Sequence, residues 1–164
     1  MEIKRLIVGP LKENCYIVTI ENKTIIIDPG DEVKRIINEC QNKHIVGILI
    51  THHHHDHIGA LKEIENYFNI KETKEIKNVN YEIISTPGHT SDSLTYYFPK
   101  EKVMFTGDFI FKDSIGRFDM PTGSYLDIKE SLQRINNYPD DIVIYPGHGD
   151  KTTLGEEKEN FKYY

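Results

Sequence analysis

The stretch of this sequence best suited to chemistry is the segment 51–57, which reads Thr-His-His-His-His-Asp-His. An imidazole nitrogen is a good ligand for zinc and iron, and a carboxylate adds an oxygen donor. Alternate side chains of an extended backbone point the same way, so His52 and His54 share one face while His53 and His55 share the other. We therefore interpret the run as H-x-H-x-D-H, a pattern of metal ligands.

The elements on either side place this run in a loop at the end of a strand. The apolar segment 45–50 predicts a buried strand, and Asp56 and His57 come as the chain turns into a helix. The apolar stripe of that helix consists of Ile58, Leu61, Ile64 and Phe68. A fragment of an expression tag or a low-complexity run is the alternative, but a tag belongs at a terminus and this run is internal. Strand-to-helix loops are where α/β sheets place active sites.

Three more potential ligands follow one local design, in which an apolar strand ends, a glycine follows, and the ligand comes next. They are His89 after Pro87-Gly88, Asp108 after Thr106-Gly107, and His148 after Pro146-Gly147. Glycine permits tight turns and close backbone approach. Strand ends that deliver ligands to one rim would make the rigid site that a metal requires.

Seven ligands are too many for one zinc ion, which takes about four, and they suit two ions. The first ion would be held by His52, His54 and His89. The second would be held by Asp56, His57 and His148. Asp108 would bridge them with its two oxygens, and a bridging water would complete both shells. Two ions so placed generate hydroxide near neutral pH and stabilise a developing oxyanion. Zinc is the first choice, with iron or manganese as alternatives.

Length and composition indicate one globular domain spanning residues 1–164, with 38% hydrophobic residues and room for a core. The formal net charge is −6, from 20 basic and 26 acidic residues, and the basic residues form no stripe for nucleic acid. No apolar run approaches the roughly 20 residues of a membrane span. The N-terminus has no signal-peptide core, so we expect a cytoplasmic protein. Cys15 and Cys40 are expected to be small buried hydrophobes.

The apolar pattern predicts strands alternating with helices in two halves of similar make-up, as in sheets packed together with helices outside. The predicted strands cover residues 2–8, 15–20, 23–27, 45–50, 81–85, 93–98, 103–105 and 141–145. Asp31 is expected to cap a first helix, and Ser124 and Thr153 are each expected to open a later helix with a capping box. Residues 70–80 are weakly patterned.

These motifs resemble the metallo-β-lactamase superfamily, and finer features resemble its short bacterial glyoxalase II-like hydrolases. The finer matches are Asn14-Cys15-Tyr16, Ile26-Ile27-Asp28-Pro29-Gly30, Thr86-Pro87-Gly88-His89-Thr90, Gly116-Arg117-Phe118-Asp119, Tyr145-Pro146-Gly147-His148-Gly149 and Thr152–Glu157. The resemblance implies an αββα sandwich of two mixed sheets with a dimetal site at one edge. Glyoxalase II proper adds a C-terminal helical domain that supplies much of its glutathione site, and we expect none within residues 1–164.

Three more residues have weaker assignments. By resemblance, Asp28 hydrogen-bonds a histidine that ligates the metal but does not itself contact the metal. The alternative is an ordinary aspartate in a turn. Arg117 and Asp119 either line the pocket and orient the substrate or form a surface salt bridge.

The resemblance implies a thioesterase of the hydroxyacylglutathione hydrolase type, acting on a small-molecule thioester. A hydroxide bridging the metals would attack the carbonyl carbon, and Asp56 would orient the water or take its proton. The alternatives are a persulfide dioxygenase-like enzyme with one iron on His52, His89 and Asp108, and a hydrolase of another ester, lactone or lactam. A non-catalytic di-iron module is disfavoured, because that branch usually carries Glu where this chain has His55.

Overall fold

The computed structural model describes all of residues 1–164, which form two compact units, Met1–Val79 and Asn80–Tyr164. No helix is both long enough and apolar enough to cross a membrane. The assignment of one domain to the whole chain stays a prediction.

The first unit is a four-stranded sheet with three helices. Its strands are β1 (Glu2–Val8), β2 (Glu13–Ile20), β3 (Lys23–Ile27) and β4 (Ile45–Leu49), hydrogen-bonded in that order. The first two pairings are antiparallel, whereas β3 and β4 are parallel and are joined through α1 (Val33–Glu39). After β4 come α2 (His55–Ile58) and α3 (Leu61–Phe68).

The core of this unit explains why the sheet and helices form where they do. Alternate residues of β1 and β2, such as Leu6, Val8, Cys15 and Ile17, are buried with Ile36 of α1 and Ile64 of α3. Strand β3 is buried on both faces, as its unbroken run of isoleucines predicts for a strand paired in parallel.

The second unit is a five-stranded sheet with two helices and a small hairpin. Its strands are β5 (Glu82–Ser85), β6 (Leu94–Phe98), β7 (Val103–Gly107), β10 (Val143–Pro146) and β11 (Thr152–Thr153). They lie in the order β11-β10-β7-β6-β5, and only β10 and β7 are parallel neighbours. The hairpin is β8 (Ile110–Phe111) with β9 (Ser114–Ile115), and the helices are α4 (Tyr125–Ile135) and α5 (Leu154–Phe161). Its core includes Met104 of β7, Ile144 of β10 and Ile128 and Ile135 of α4.

One of the predicted helix caps and one predicted helix differ from the structure. Asp31 does not cap α1: its Oδ1 accepts from the N–H of the next residue, Glu32, which is itself the N-cap in a left-handed conformation with φ 55°. The helix predicted through residue 68 is broken into α2 and α3. Its break falls at Ala60, whose N–H donates to the carbonyl of Pro29 (3.0 Å) rather than continuing the helix.

The other two capping predictions fare differently. Thr153 forms the full capping box with Glu156, so that prediction is confirmed. Ser124 accepts from the N–H of Asp127 without a reciprocal bond, because the aspartate side chain is one carbon shorter than the glutamate that closes the box. Between α3 and β5 the chain forms only an isolated bridge, from Ile48 to Glu72.

The Thr153 cap should be a measurable part of the stability of the chain. Replacing Thr153 with Ala removes the side-chain acceptor and should lower the free energy of unfolding by about 1 kcal/mol. Urea denaturation measures this change. Glu159→Ala, at a strongly exposed position of the same helix, is the control and should change stability far less. Equal loss in both variants would contradict a specific contribution from the cap.

Candidate metal centre

In the first unit, the parallel pairing of β3 and β4 brings Asp28 and the histidine run to the same edge of the sheet. The last residues of the two strands, Ile27 and Leu49, are partners in register, and the N–H of Asp28 donates to the carbonyl of Leu49 (3.0 Å). The carboxyl ends of these strands therefore both point to the edge where the run begins, as the sequence predicts for a strand-end site.

The Asp28 carboxylate ties the start of the run to its end. Oδ1 accepts from the N–H of Thr51 (2.7 Å), and Oδ2 accepts from the Thr51 hydroxyl (2.6 Å). Oδ2 also lies 3.0 Å from Nδ1 of His57. All three side chains are buried. The hydrogen bond that the resemblance implied for Asp28 is therefore present, while its role around a metal stays a prediction.

These bonds also determine which nitrogen of each histidine carries a proton. The Asp28 carboxylate accepts, so Nδ1 of His57 donates, and in the neutral ring Nε2 keeps its lone pair. The Thr51 hydroxyl donates its hydrogen bond to Asp28, so its oxygen accepts from Nδ1 of His52 (3.2 Å). Nε2 of His52 thus also presents a lone pair, and it faces Nδ1 of His54 at 3.1 Å.

The alternate histidines of the run point elsewhere, as the extended-backbone argument predicts. His53 is exposed, and its Nε2 lies 3.3 Å from a carboxylate oxygen of Glu72. His55 is also exposed, and it lines a cavity of about 230 Å³ together with Leu11 and Asp56. The Asp56 carboxylate is half-buried, with Oδ2 3.9 Å from Nε2 of His57.

The buried carboxylate of Glu13 also lies beside His57, and sequence analysis missed it. Its side chain is 1% exposed, and Oε1 lies 3.9 Å from Nδ1 of His57. Glu13, Asp28 and His57 form a compact buried group. Burial raises the pKa of the nearby Cys15 thiol well above its ordinary value, and the charges of Glu13 and Asp28 raise it further. Nothing in the residues around position 13 signals its burial, because Leu11 and Lys12 are exposed.

In the second unit, three strand ends converge in the same manner. β5 and β6 are antiparallel, β6 and β7 are antiparallel, and β7 and β10 are parallel, so the carboxyl ends of β5, β7 and β10 share one edge. His89, Asp108 and His148 follow those ends. The N–H of Gly147 donates to the carbonyl of Gly107 (2.8 Å), which fixes the last two turns against each other.

Asp108 lies between the two histidines of this unit, with one oxygen directed to each. Its Oδ2 is 3.5 Å from Nε2 of His89, and its Oδ1 is 3.6 Å from Nε2 of His148. Nδ1 of His89 donates to the carbonyl of Arg117 (2.7 Å), so Nε2 of His89 presents a lone pair to the carboxylate. The arrangement is the one expected of a carboxylate that bridges two ions.

The segment after the hairpin supports this cluster through its backbone. A Cβ on Gly116 would lie 1.7 Å from the carbonyl oxygen of Asp108, so only glycine permits the approach. The side chains that follow point outward: Arg117 and Asp119 form an exposed ion pair with distances of 2.7 and 2.8 Å. The hydrogen bond from Arg117 holds the pKa of Asp119 at about 2. The salt bridge is thus present, while a contribution of either residue to substrate binding stays a prediction.

The donor atoms of the second unit have the spacing of metal ligands. Two ligands of a tetrahedral zinc ion, at bond lengths of roughly 2.0–2.1 Å, lie about 3.4 Å apart. The two Asp108 pairs, at 3.5 and 3.6 Å, are close to that spacing and too long for ordinary hydrogen bonds. An imidazole lone pair and a carboxylate repel each other unless a proton or a metal ion lies between them, and separations of 3.5 and 3.6 Å suit a metal ion better than a shared proton.

Comparison with known proteins shows the family of this chain. The family model of the metallo-beta-lactamase superfamily matches residues 8–81 and 69–148. The chain belongs to the metallo-β-lactamase superfamily. Hydroxyacylglutathione hydrolase GloC of Haemophilus influenzae is 28% identical over 98% of this chain and 96% of its own length. The resemblance stated from the motifs is confirmed at this level.

Solved structures of the superfamily show the same fold. The BLEG-1 B3 metallo-beta-lactamase aligns with a TM-score of 0.91 and 27% identity over 99% of each chain. The protein TTHA1623, solved in a di-iron-bound form, aligns with a TM-score of 0.85 and 27% identity over 94% of this chain and 96% of its own. The predicted fold class, a metallo-β-lactamase-type α/β fold, is therefore confirmed.

The hydrogen bonds of Asp28 should stabilise the chain even without metal. Asp28→Asn keeps the shape, and asparagine tolerates the left-handed backbone at this position (φ 50°), but it removes the charge that three donors share. We expect the free energy of unfolding to fall by about 2 kcal/mol, as for hydrogen bonds to charged groups. Urea denaturation in the presence of a chelator measures it. The exposed Asp31→Asn is the control, and equal stability of the two variants would contradict the assignment.

Proposed function

We propose that this chain is a dimetal hydrolase that cleaves thioesters of the hydroxyacylglutathione type. The observation that carries the proposal is the Asp108 cluster, in which each carboxylate oxygen faces Nε2 of a different histidine. A carboxylate used in this way serves two ions, whereas a structural site for one ion would be closed by about four ligands.

The proposed ligands are those that the sequence predicts. One ion would be held by His52, His54 and His89, the other by Asp56, His57 and His148, and Asp108 would serve both. Zinc is the ion we propose first; the di-iron form of TTHA1623 makes iron the alternative. When bound, such ions supply a nucleophilic water at neutral pH and withdraw electron density from the carbonyl of the substrate.

The protein itself prepares this site in three ways. Hydrogen bonds from Nδ1 of His52, His57 and His89 to fixed acceptors favour the tautomer of the neutral ring whose Nε2 carries the lone pair that metal binding requires. The Asp56 carboxylate is half-buried and therefore accessible, so it can orient the attacking water and accept its proton at a carboxylate oxygen. Asp56 also borders the cavity lined by Val8, Pro10 and Leu11, an apolar wall against which an acyl group can pack.

A thioester suits the remaining chemistry. Its leaving group is a thiolate whose conjugate acid has a pKa of about 8.5, so no strong general acid is required. The likeness to hydroxyacylglutathione hydrolase GloC over nearly the whole length of both chains supports a hydroxyacylglutathione as the substrate.

Hydrolysis of S-D-lactoylglutathione tests the substrate assignment. The protein is loaded with zinc, its metal content is assayed, and loss of the thioester absorbance is followed. We expect turnover with about two ions per chain. Two bound ions without turnover would overturn glutathione as the recognised thiol. Iron-dependent oxygen uptake with a glutathione persulfide, without thioester hydrolysis, would replace the proposal with the dioxygenase alternative.

Asp108→Asn tests the bridging role separately. It keeps the size of the side chain but removes one of the two anionic oxygens, so we expect loss of at least one bound ion and a fall in turnover of about a hundredfold or more. Asp113→Asn, in the exposed turn of the nearby hairpin, is the matched control. Full metal content and full activity in the Asp108 variant would overturn the dimetal assignment.

A further inference from the structure

Glu13 occupies a position that the proposed chemistry leaves unexplained. It is the first residue of β2, is paired in register with Val8, and is 1% exposed. A carboxylate buried to this degree needs compensating charges or hydrogen bonds in the interior. One of its neighbours there is the ring of His57, which is fully buried.

The geometry gives Glu13 and Asp28 different relations to the same ring nitrogen. Asp28 Oδ2 lies 3.0 Å from Nδ1 of His57 and takes its hydrogen bond. Glu13 Oε1 lies 3.9 Å from the same atom, which is too far for a hydrogen bond. Glu13 therefore acts on the ring by its charge rather than by orienting the proton.

The backbone leaves room for this carboxylate. A Cβ on Gly30 would lie 2.6 Å from Oε2 of Glu13 and 1.7 Å from the carbonyl oxygen of Asp56. Any larger residue at position 30 would push the glutamate or the start of α2 away. The glycine thus allows the Glu13 carboxylate and the backbone of a proposed ligand, Asp56, to pack against the same turn.

We propose that Glu13 is a positioning residue that acts through His57, placing a second negative charge behind the ring and strengthening the hold on the ion that His57 ligates. An imidazole whose Nε2 binds a divalent cation becomes more positive, and an anion behind it stabilises that state in a medium of low dielectric. The inference rests on the metal binding in the proposed function, and it predicts that the two ions are held with unequal strength.

Two variants separate the charge of Glu13 from its shape. Glu13→Gln keeps the shape and removes the charge, whereas Glu13→Asp keeps the charge and shortens the side chain. Glu157→Gln is the matched control, because Glu157 is also a 1% exposed glutamate but belongs to α5 of the second unit. Stepwise Zn²⁺ affinity is measured on the metal-free chain by competition with a chromophoric chelator, and the Tm is measured with and without Zn²⁺.

We expect Glu13→Gln to weaken one of the two binding steps by about ten- to a hundredfold and to leave the other within about twofold. Glu13→Asp should lose less affinity, and Glu157→Gln should change neither step. Because the metal-free chain holds two buried carboxylates close together, its Tm should be unchanged or higher in Glu13→Gln. A role in packing alone predicts the opposite, a lower metal-free Tm.

Several results would overturn the inference. The first is that both Zn²⁺ binding steps are unchanged in Glu13→Gln, and the second is that Glu13→Gln and Glu13→Asp lose equal affinity. The third is that Glu13→Gln lowers the metal-free Tm as well as the affinity. The fourth is that the parent chain binds fewer than two ions. Thioester hydrolysis by the parent is a separate measurement. Two bound ions without thioester turnover would remove the substrate assignment and leave the Glu13 inference standing. Unchanged Zn²⁺ affinity in Glu13→Gln, together with normal thioester turnover by the parent, would remove the Glu13 inference and leave the substrate assignment standing.

Discussion

The buried carboxylate of Asp28 is the interaction on which the first unit depends. It lies at the end of β3, and it receives the backbone and hydroxyl of Thr51 from the end of β4 and Nδ1 of His57 from α2. One charged group therefore joins two parallel strands to the helix that follows them. The bond to His57 is possible because α2 packs on the turn after Asp28, where the N–H of Ala60 donates to Pro29 and Gly30 admits the backbone of Asp56.

The two units use different hydrogen-bond acceptors to fix the tautomer of their histidines. In the first unit a carboxylate and a hydroxyl accept the Nδ1 protons of His57 and His52, and in the second a backbone carbonyl accepts that of His89. In the neutral ring, each acceptor leaves Nε2 without a proton. A histidine free to choose its tautomer would have Nε2 protonated part of the time and would bind a metal less well. The hydrogen bonds at Nδ1 thus select Nε2 as the atom available to bind a metal before any ion is present.

The sequence predicts the longer strands, the strand-end position of the candidate ligands and the alternation within the histidine run, because these depend on local periodicity. It misses the two-residue strands β8, β9 and β11, which are too short to show a period. It does not predict the features that depend on contacts distant in sequence. The break before α3 arises from Ala60 binding the carbonyl of Pro29, and the support of His89 comes from the backbone of Arg117, which no side-chain pattern can signal. Gly30 leaves the space that the buried Glu13 occupies, a relation between the start of β2 and the turn after β3 that neither segment reveals alone.

The placement of charge explains why metal binding and stability should be linked in this chain. Asp28 is satisfied by its three donors, so its charge is compensated without an ion. Asp108 instead faces Nε2 of His89 and Nε2 of His148, and Glu13 adds a second negative charge near Nδ1 of His57. These contacts are costly in a medium of low dielectric unless a cation is present. Binding of the proposed ions converts that cost into attraction, and its free energy then adds to the free energy of folding.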